Sequence, residues 1–234
     1  MADTDFIVNI FLPLAKPVAA KKAKMKRRSS TDKEYFVQDW IEEQLQRHFK
    51  VHRQGRNSHP DYILTTGSIS QGLEVKSLEC RQKDTKNLET IPCRTDVDFN
   101  SCIPCGLIEF KERKIKCYYA FILYESCAES PLHVDGIAIT LVDGNFLNRD
   151  FELAVGHLNI SKGGFGSYGD AFIRTRKMYR FPNPLTHPQF KYKNILVTEF
   201  QLESPSKLGL KELPVVQKTD KAGKVWPFNV YTLD

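Results

Sequence analysis

The most regular pattern in the chain lies in residues 31–49. There Phe36, Val37, Trp40, Ile41, Leu45 and Phe49 recur at helical spacing and form one apolar stripe. The spacing predicts a helix that turns this stripe to the core, and Thr31 followed by Glu34 reads as a capping box at its start. Further on the period falls to two. Residues 61–65 and 70–78 read as strands on either side of the turn signal Gly67-Ser68. Residues 115–125 are apolar on both faces, as expected of a central strand covered on both sides. Two β-rich runs surround Asp143-Gly144 within residues 134–146 and predict a hairpin, and residues 195–200 predict another strand.

The stretches between these elements set the organisation. Residues 1–20 are apolar but interrupted by Asn9, Pro13 and Lys16, and read as an arm that packs on the body or on a partner subunit. Residues 21–28, KKAKMKRR, read as a solvated basic linker or as a contact to DNA phosphates, and a nuclear-import signal has the same look. Residues 80–105 and 156–192 are long, polar and rich in Gly, Pro and basic side chains, so they are expected to be functional loops. The last thirty residues, with their prolines and lysines, are expected to wrap the surface. The expectation is an arm and linker over residues 1–30, then one α/β domain over 31–234. Its core would be a central mixed β-sheet flanked by helices.

Composition narrows the class. The chain has 234 residues, 41% hydrophobic and 26% charged, which excludes disordered, collagen-like and disulfide-miniprotein chains. The charge of +6 permits an anionic partner without requiring one. No stretch approaches the ~20 apolar residues needed to cross a bilayer. The N-terminus lacks a basic start before an unbroken apolar run, so no signal peptide or membrane association is expected. The cysteines are then read as reduced thiols of a cytoplasmic protein. Cys80, Cys93, Cys102 and Cys105 offer only one close pair, which leaves a zinc site and free thiols both open.

The chemistry begins at Leu73-Glu74-Val75-Lys76. In a strand, Glu74 and Lys76 share one face, and Leu73 and Val75 the other. If Gly67-Ser68 is a two-residue hairpin loop, paired residue numbers sum to 135. Tyr62 then faces Leu73 and Asp61 faces Glu74, with the apolar residues gathered on the opposite side. Two carboxylates with Cβ atoms ~5 Å apart repel. A cation between them relieves that repulsion, and hard oxygen ligands suit Mg²⁺. An exposed hairpin with an ordinary salt bridge is the alternative, but it leaves Asp61 opposite Glu74 unexplained.

Pro60-Asp61, twelve residues, then Glu74-Val75-Lys76 resembles the PD-(D/E)xK nuclease signature. The preceding helix and following central strand are similar to that fold's order of elements, and the size is similar to a type II restriction endonuclease. The resemblance implies a restriction-endonuclease-like fold and Mg²⁺-dependent hydrolysis of double-stranded DNA at a short specific site, leaving 5′-phosphate and 3′-hydroxyl ends. It implies that Asp61, Glu74 and the main-chain carbonyl of Val75 hold the metal. Lys76 would position or activate the attacking water. Cutting both strands most simply calls for a two-fold homodimer. A repair or structure-specific nuclease, and a non-catalytic basic nucleic-acid-binding protein, are the other readings.

A second E-x-K, Glu109-Phe110-Lys111, follows Asp98 by eleven residues, but Asn100, Pro104 and Gly106 interrupt the stretch between. Glu34 is a possible further acid for the metal, unless capping alone explains it. The candidate DNA contacts are Arg174, Arg176, Lys177 and Arg180, interleaved with Phe172 and Tyr179. Arg81, Lys83, Lys86 and Asn100, in the loop that leaves the catalytic strand, are the second set. For each, a solvated basic face is the plainer alternative. The glycines of residues 161–169 lack the P-loop order, and no small-molecule cofactor is expected.

Overall fold

A computed structural model describes residues 3–29, 32, 34–55, 58–80, 96–100, 104–127, 130–157 and 178–234. The chain begins with helix α1 (Asp3–Ala19), strand β1 (Lys24–Lys26), helix α2 (Tyr35–Leu45) and strands β2 (Lys50–Arg53), β3 (Tyr62–Thr66) and β4 (Ile69–Glu79). Strands β5 (Asp96–Asn100), β6 (Leu107–Phe110), β7 (Arg113–Cys127) and β8 (Ser130–Asp143) follow, then helix α3 (Gly144–His157). Strands β9 (Met178–Pro182), β10 (Asn194–Thr198), β11 (Lys211–Thr219) and β12 (Val225–Leu233) complete the order.

The fold is mixed α/β around one large mixed sheet. Its strand order is β11-β12-β10-β8-β7-β4-β3-β2, with β1 added beside β8 and β6 beside β7. The pairs β4–β7 and β8–β10 are parallel and the other neighbours antiparallel. Strand β7 is central, and Cys117 through Leu123 are almost wholly buried, as its two-sided apolar pattern predicts. One face carries α1 and α2 against Tyr62, Leu73, Val75, Tyr118 and Leu141. The other carries Phe146 and Leu147 of α3 with Leu185 and Phe190 against Cys117, Tyr119, Phe121 and Val142. Thus the sheet has a hydrophobic layer on each side.

Several expectations need correction. The N-terminal arm is a helix packed on the body, with Phe6, Ile7, Ile10, Phe11, Leu14 and Val18 buried on one side despite Pro13 and Pro17 inside it. Each internal proline costs about 3 kcal/mol, but burying each large apolar side chain returns about 1.5–3 kcal/mol. The stripe therefore outweighs the breakers. The linker after it contributes β1, paired with β8, and its Lys24, Arg27 and Arg28 bind Asp135, Glu79 and Asp39. Helix α2 buries the predicted stripe, yet it starts at Tyr35; Glu34 stands at its N-cap position without a side-chain cap bond, and Asp32 Oδ1 accepts from the Tyr35 N–H at 3.0 Å. Glu34 precedes the helix and is exposed, and Thr31 lies outside the described residues.

The hairpin expected at Asp143-Gly144 is instead a strand-to-helix junction. Asp143 Oδ1 accepts from the Asn145 N–H at 2.9 Å. Phe146 and Leu147 then enter the core. A Cβ on Gly144 would lie 2.0 Å from the Cys105 carbonyl oxygen, so only glycine admits that crossing. The C-terminal thirty residues do not wrap the surface. Strand β12 inserts between β10 and β11 and buries Phe228, Val230 and Tyr231. Its Pro227 lies beyond the last residue that pairs with β10, and Pro214 of β11 falls at an edge-strand bulge. Both are places where a missing N–H is tolerated.

Candidate active site

The β3–β4 hairpin has the predicted register. Thr66 pairs with Ile69 across Gly67-Ser68, Gly67 takes φ +57°, and Tyr62 pairs with Leu73. One step further the same register sets Asp61 against Glu74. The contact is direct, because the Asp61 N–H donates to Glu74 Oε2 at 3.2 Å and the Val75 N–H donates to Asp61 Oδ2 at 2.8 Å. The Lys76 Nζ lies 2.8 Å from Glu74 Oε1. Asp61, Glu74, Val75 and Lys76 therefore form one cluster, and Glu74 is buried within it.

Side chains that sequence reasoning missed complete the cluster. Gln38, on α2, donates from Nε2 to Asp61 Oδ1 at 3.2 Å, and Arg53 of β2 holds the other end of the same amide. His59 Nδ1 lies 3.1 Å from Glu74 Oε2, and His59 Nε2 lies 3.2 Å from the Tyr119 hydroxyl on β7. Pro60 packs on Gly72 of β4, where a Cβ would come within 2.9 Å of Pro60 Cγ and 2.8 Å of Ile108 Cδ1. That bare position lets the His59-Pro60-Asp61 turn sit down on the strand that carries Glu74. The available signals were Gly72 inside an otherwise regular strand, which marks close backbone approach, and Gln38 beside the buried stripe of α2.

The electrostatics separate the two acids. Burial, and then the charge of Glu74, push the Asp61 carboxyl up to about 7. Burial also works against Glu74, but Lys76 and His59 outweigh it and hold that carboxyl below its usual range. Of the two, Glu74 is the acid that ionises first as pH rises, and Asp61 gives up its proton only near neutrality. The exposed Glu34 adds a weaker repulsion at Asp61. Cys117 also touches His59, but burial pushes its thiol up to about 11, which argues against a thiolate nucleophile here.

A divalent cation fits this donor set. The two carboxylates lie near enough for the charge of Glu74 to raise that of Asp61, and hard oxygen donors of this kind suit Mg²⁺ or Ca²⁺. Among the described residues, no group of three or more His, Cys, Asp and Glu side chains is placed to hold a metal ion. The candidate here is a pair of acids beside a main-chain carbonyl, not such a group.

The rival E-x-K does not assemble. Glu109 is exposed on β6 opposite Lys114, while Lys111 sits in the following turn at φ +49°, so the two do not share a strand face. Asp98 belongs to β5, which pairs with β9 and not with β6. Strands β5 and β9, from the two regions expected to be recognition loops, pair as a two-stranded sheet, with Asp98 opposite Arg180 and Asn100 opposite Met178. Arg81, Lys83, Lys86, Arg174, Arg176 and Lys177 lie outside the described residues, as do Cys93 and Cys102. Cys80 is buried and Cys105 half-buried.

No helix among the described residues is long and apolar enough to cross a membrane. Comparison with protein-family models, with curated proteins and with solved structures gives no match.

Proposed function

We propose that this protein is a Mg²⁺-dependent endonuclease of the PD-(D/E)xK kind that cuts double-stranded DNA at a short specific site, as a type II restriction enzyme does. The observation that carries this reading is the hairpin register that sets Asp61 against Glu74, with Lys76 on the outer oxygen of Glu74. Two acids and a lysine on one strand pair, at the start of a buried central sheet, are what metal-assisted phosphodiester hydrolysis requires.

In this reading Asp61, Glu74 and the Val75 carbonyl hold the metal. When bound, it supplies charge stabilisation to the phosphoryl oxygens and lowers the pKa of the attacking water. The protein's own groups do the positioning. The Val75 N–H and the Gln38 amide fix the Asp61 carboxylate, and His59 fixes that of Glu74. Lys76 holds an ammonium beside Glu74, ready to exchange that ion pair for a water or a phosphate oxygen. Water attacks phosphorus in line, the P–O3′ bond breaks, and the leaving oxygen takes a proton to give 5′-phosphate and 3′-hydroxyl ends. Arg81, Lys83, Asn100, Arg174, Arg176, Lys177 and Arg180 are the proposed DNA contacts. A homodimer would present two such sites to the two strands.

The test is digestion of a mapped phage genome with Mg²⁺. A discrete fragment set that maps to one short sequence is expected. A smear, or cutting confined to branched and single-stranded substrates, would replace this reading with a structure-specific nuclease.

A further inference from the structure

We propose that His59 is a positioning residue that decides which oxygen of Glu74 is offered to a divalent cation, and that Tyr119 sets the orientation of its ring. The inference rests on the metal-binding reading of the Asp61–Glu74 pair.

His59 meets Tyr119, Glu74 and the Cys117 thiol, and the first two order its ring. The Cys105 N–H donates to the Tyr119 hydroxyl oxygen at 3.0 Å. That hydroxyl lies 3.2 Å from His59 Nε2. With its oxygen accepting from Cys105, the phenol directs its proton at Nε2, which then acts as acceptor. Nδ1 is left to carry the N–H, and its partner at 3.1 Å is Glu74 Oε2, an acceptor-only atom when the carboxyl is ionised. The ring is thus held as the Nδ1–H tautomer between a buried phenol and a buried carboxylate, and its plane lies tilted 31° to that of Tyr119.

The consequence falls on Glu74. Its Oε2 accepts twice, from His59 Nδ1 and from the Asp61 N–H, which uses both lone pairs of that oxygen. Among the described residues, its Oε1 accepts from Lys76 Nζ. The remaining acceptor capacity of the buried carboxylate therefore lies on Oε1, the oxygen on the Lys76 side. Without His59 the carboxylate has one fewer restraint on its end torsion, and Oε2 competes with Oε1 for the cation. Partners of ligating groups in this position typically contribute 10–100-fold in metal affinity. Gly72 supports the arrangement, because the space left by its missing Cβ is where Pro60 seats the His59 turn on β4.

The test is calorimetric titration of the full chain with Ca²⁺, which reads metal binding without any cleavage. His59→Leu should weaken Ca²⁺ binding by about 10–100-fold. His59→Asn, whose side-chain amide nitrogen stands where Nδ1 stands, should recover most of that loss. Tyr119→Phe should fall between the wild type and His59→Leu. A folded His59→Leu that binds like the wild type, or a His59→Asn as weak as His59→Leu, would overturn the proposal. Should His59→Leu fail to fold, as judged by a cooperative melt in EDTA, Tyr119→Phe decides, and unchanged affinity there overturns it. If the wild type itself binds no Ca²⁺, the failure lies in the acid-pair reading, and the role of His59 falls with it.

Discussion

Replacing Asp61 by Asn isolates the electrostatic cost of the acid pair. The folded-state pKa of Asp61 is raised from 3.8 to about 7. At about 1.4 kcal/mol per unit, the ionised carboxylate costs the fold up to about 4 kcal/mol. The sign follows from linkage. The folded state holds this proton more tightly than the unfolded chain, so its contribution is full below the unfolded value of 3.8 and is lost as pH rises to about 7. Asn carries no charge and removes the loss. It also turns an amide nitrogen toward either the Val75 N–H or the Gln38 Nε2, which now donate to Asp61, and an unmet donor costs about 1–3 kcal/mol. The net gain is about 1–3 kcal/mol. In a chain of this size each kcal/mol moves Tm by about 2–4 °C. Asp61→Asn should therefore melt about 2–12 °C above the wild type at about pH 8 in EDTA, and should lose that advantage near pH 4. The same variant should lose most of the Ca²⁺ response, which in the wild type is worth about 2.7 kcal/mol at a hundredfold excess over Kd. A thermal melt of both proteins, with EDTA and with millimolar Ca²⁺, reads both effects. If Asp61→Asn melts lower without metal and gains as much from Ca²⁺ as the wild type, the two acids do not share an ion.

Lys76→Met should keep the Ca²⁺ shift in Tm, because its ammonium is not a metal ligand, and should lose cleavage while still retarding DNA in a gel. Gly144→Ala should destabilise severely or prevent folding, since its Cβ would meet the Cys105 carbonyl oxygen at 2.0 Å; a soluble variant with wild-type urea midpoint would contradict the junction described here. Phe11→Ala should cost about 3–5 kcal/mol in urea unfolding, because Phe11 is wholly buried in α1, whereas an N-terminal arm loose on the surface would tolerate it.

Much of the site was legible because period-two alternation and a glycine turn fix a hairpin register without help from the rest of the fold. Asp61, Glu74 and Lys76 follow from that register alone. What stayed hidden depends on how other segments pack. His59 and Gln38 reach the acids through a turn and a helix whose placement depends on packing, and Tyr119 reads simply as part of an apolar strand. The two misread ends of the chain share one cause. Pro13, Pro17, Pro214 and Pro227 argue locally against regular structure, and in each case burial or an edge position overrides them. Asp143-Gly144 suits a hairpin turn and a helix start equally well. The choice was made by Cys105, which approaches too closely for any residue but glycine.

The most direct test of the central claim is cleavage of supercoiled plasmid by the wild type, Glu74→Ala and Glu109→Ala, each with Mg²⁺ and with EDTA. The wild type and Glu109→Ala should linearise or fragment the plasmid at similar rates with Mg²⁺ only, and Glu74→Ala should leave it supercoiled. An inactive Glu109→Ala beside an active Glu74→Ala, or cutting that persists in EDTA, would contradict the assignment of the acid pair.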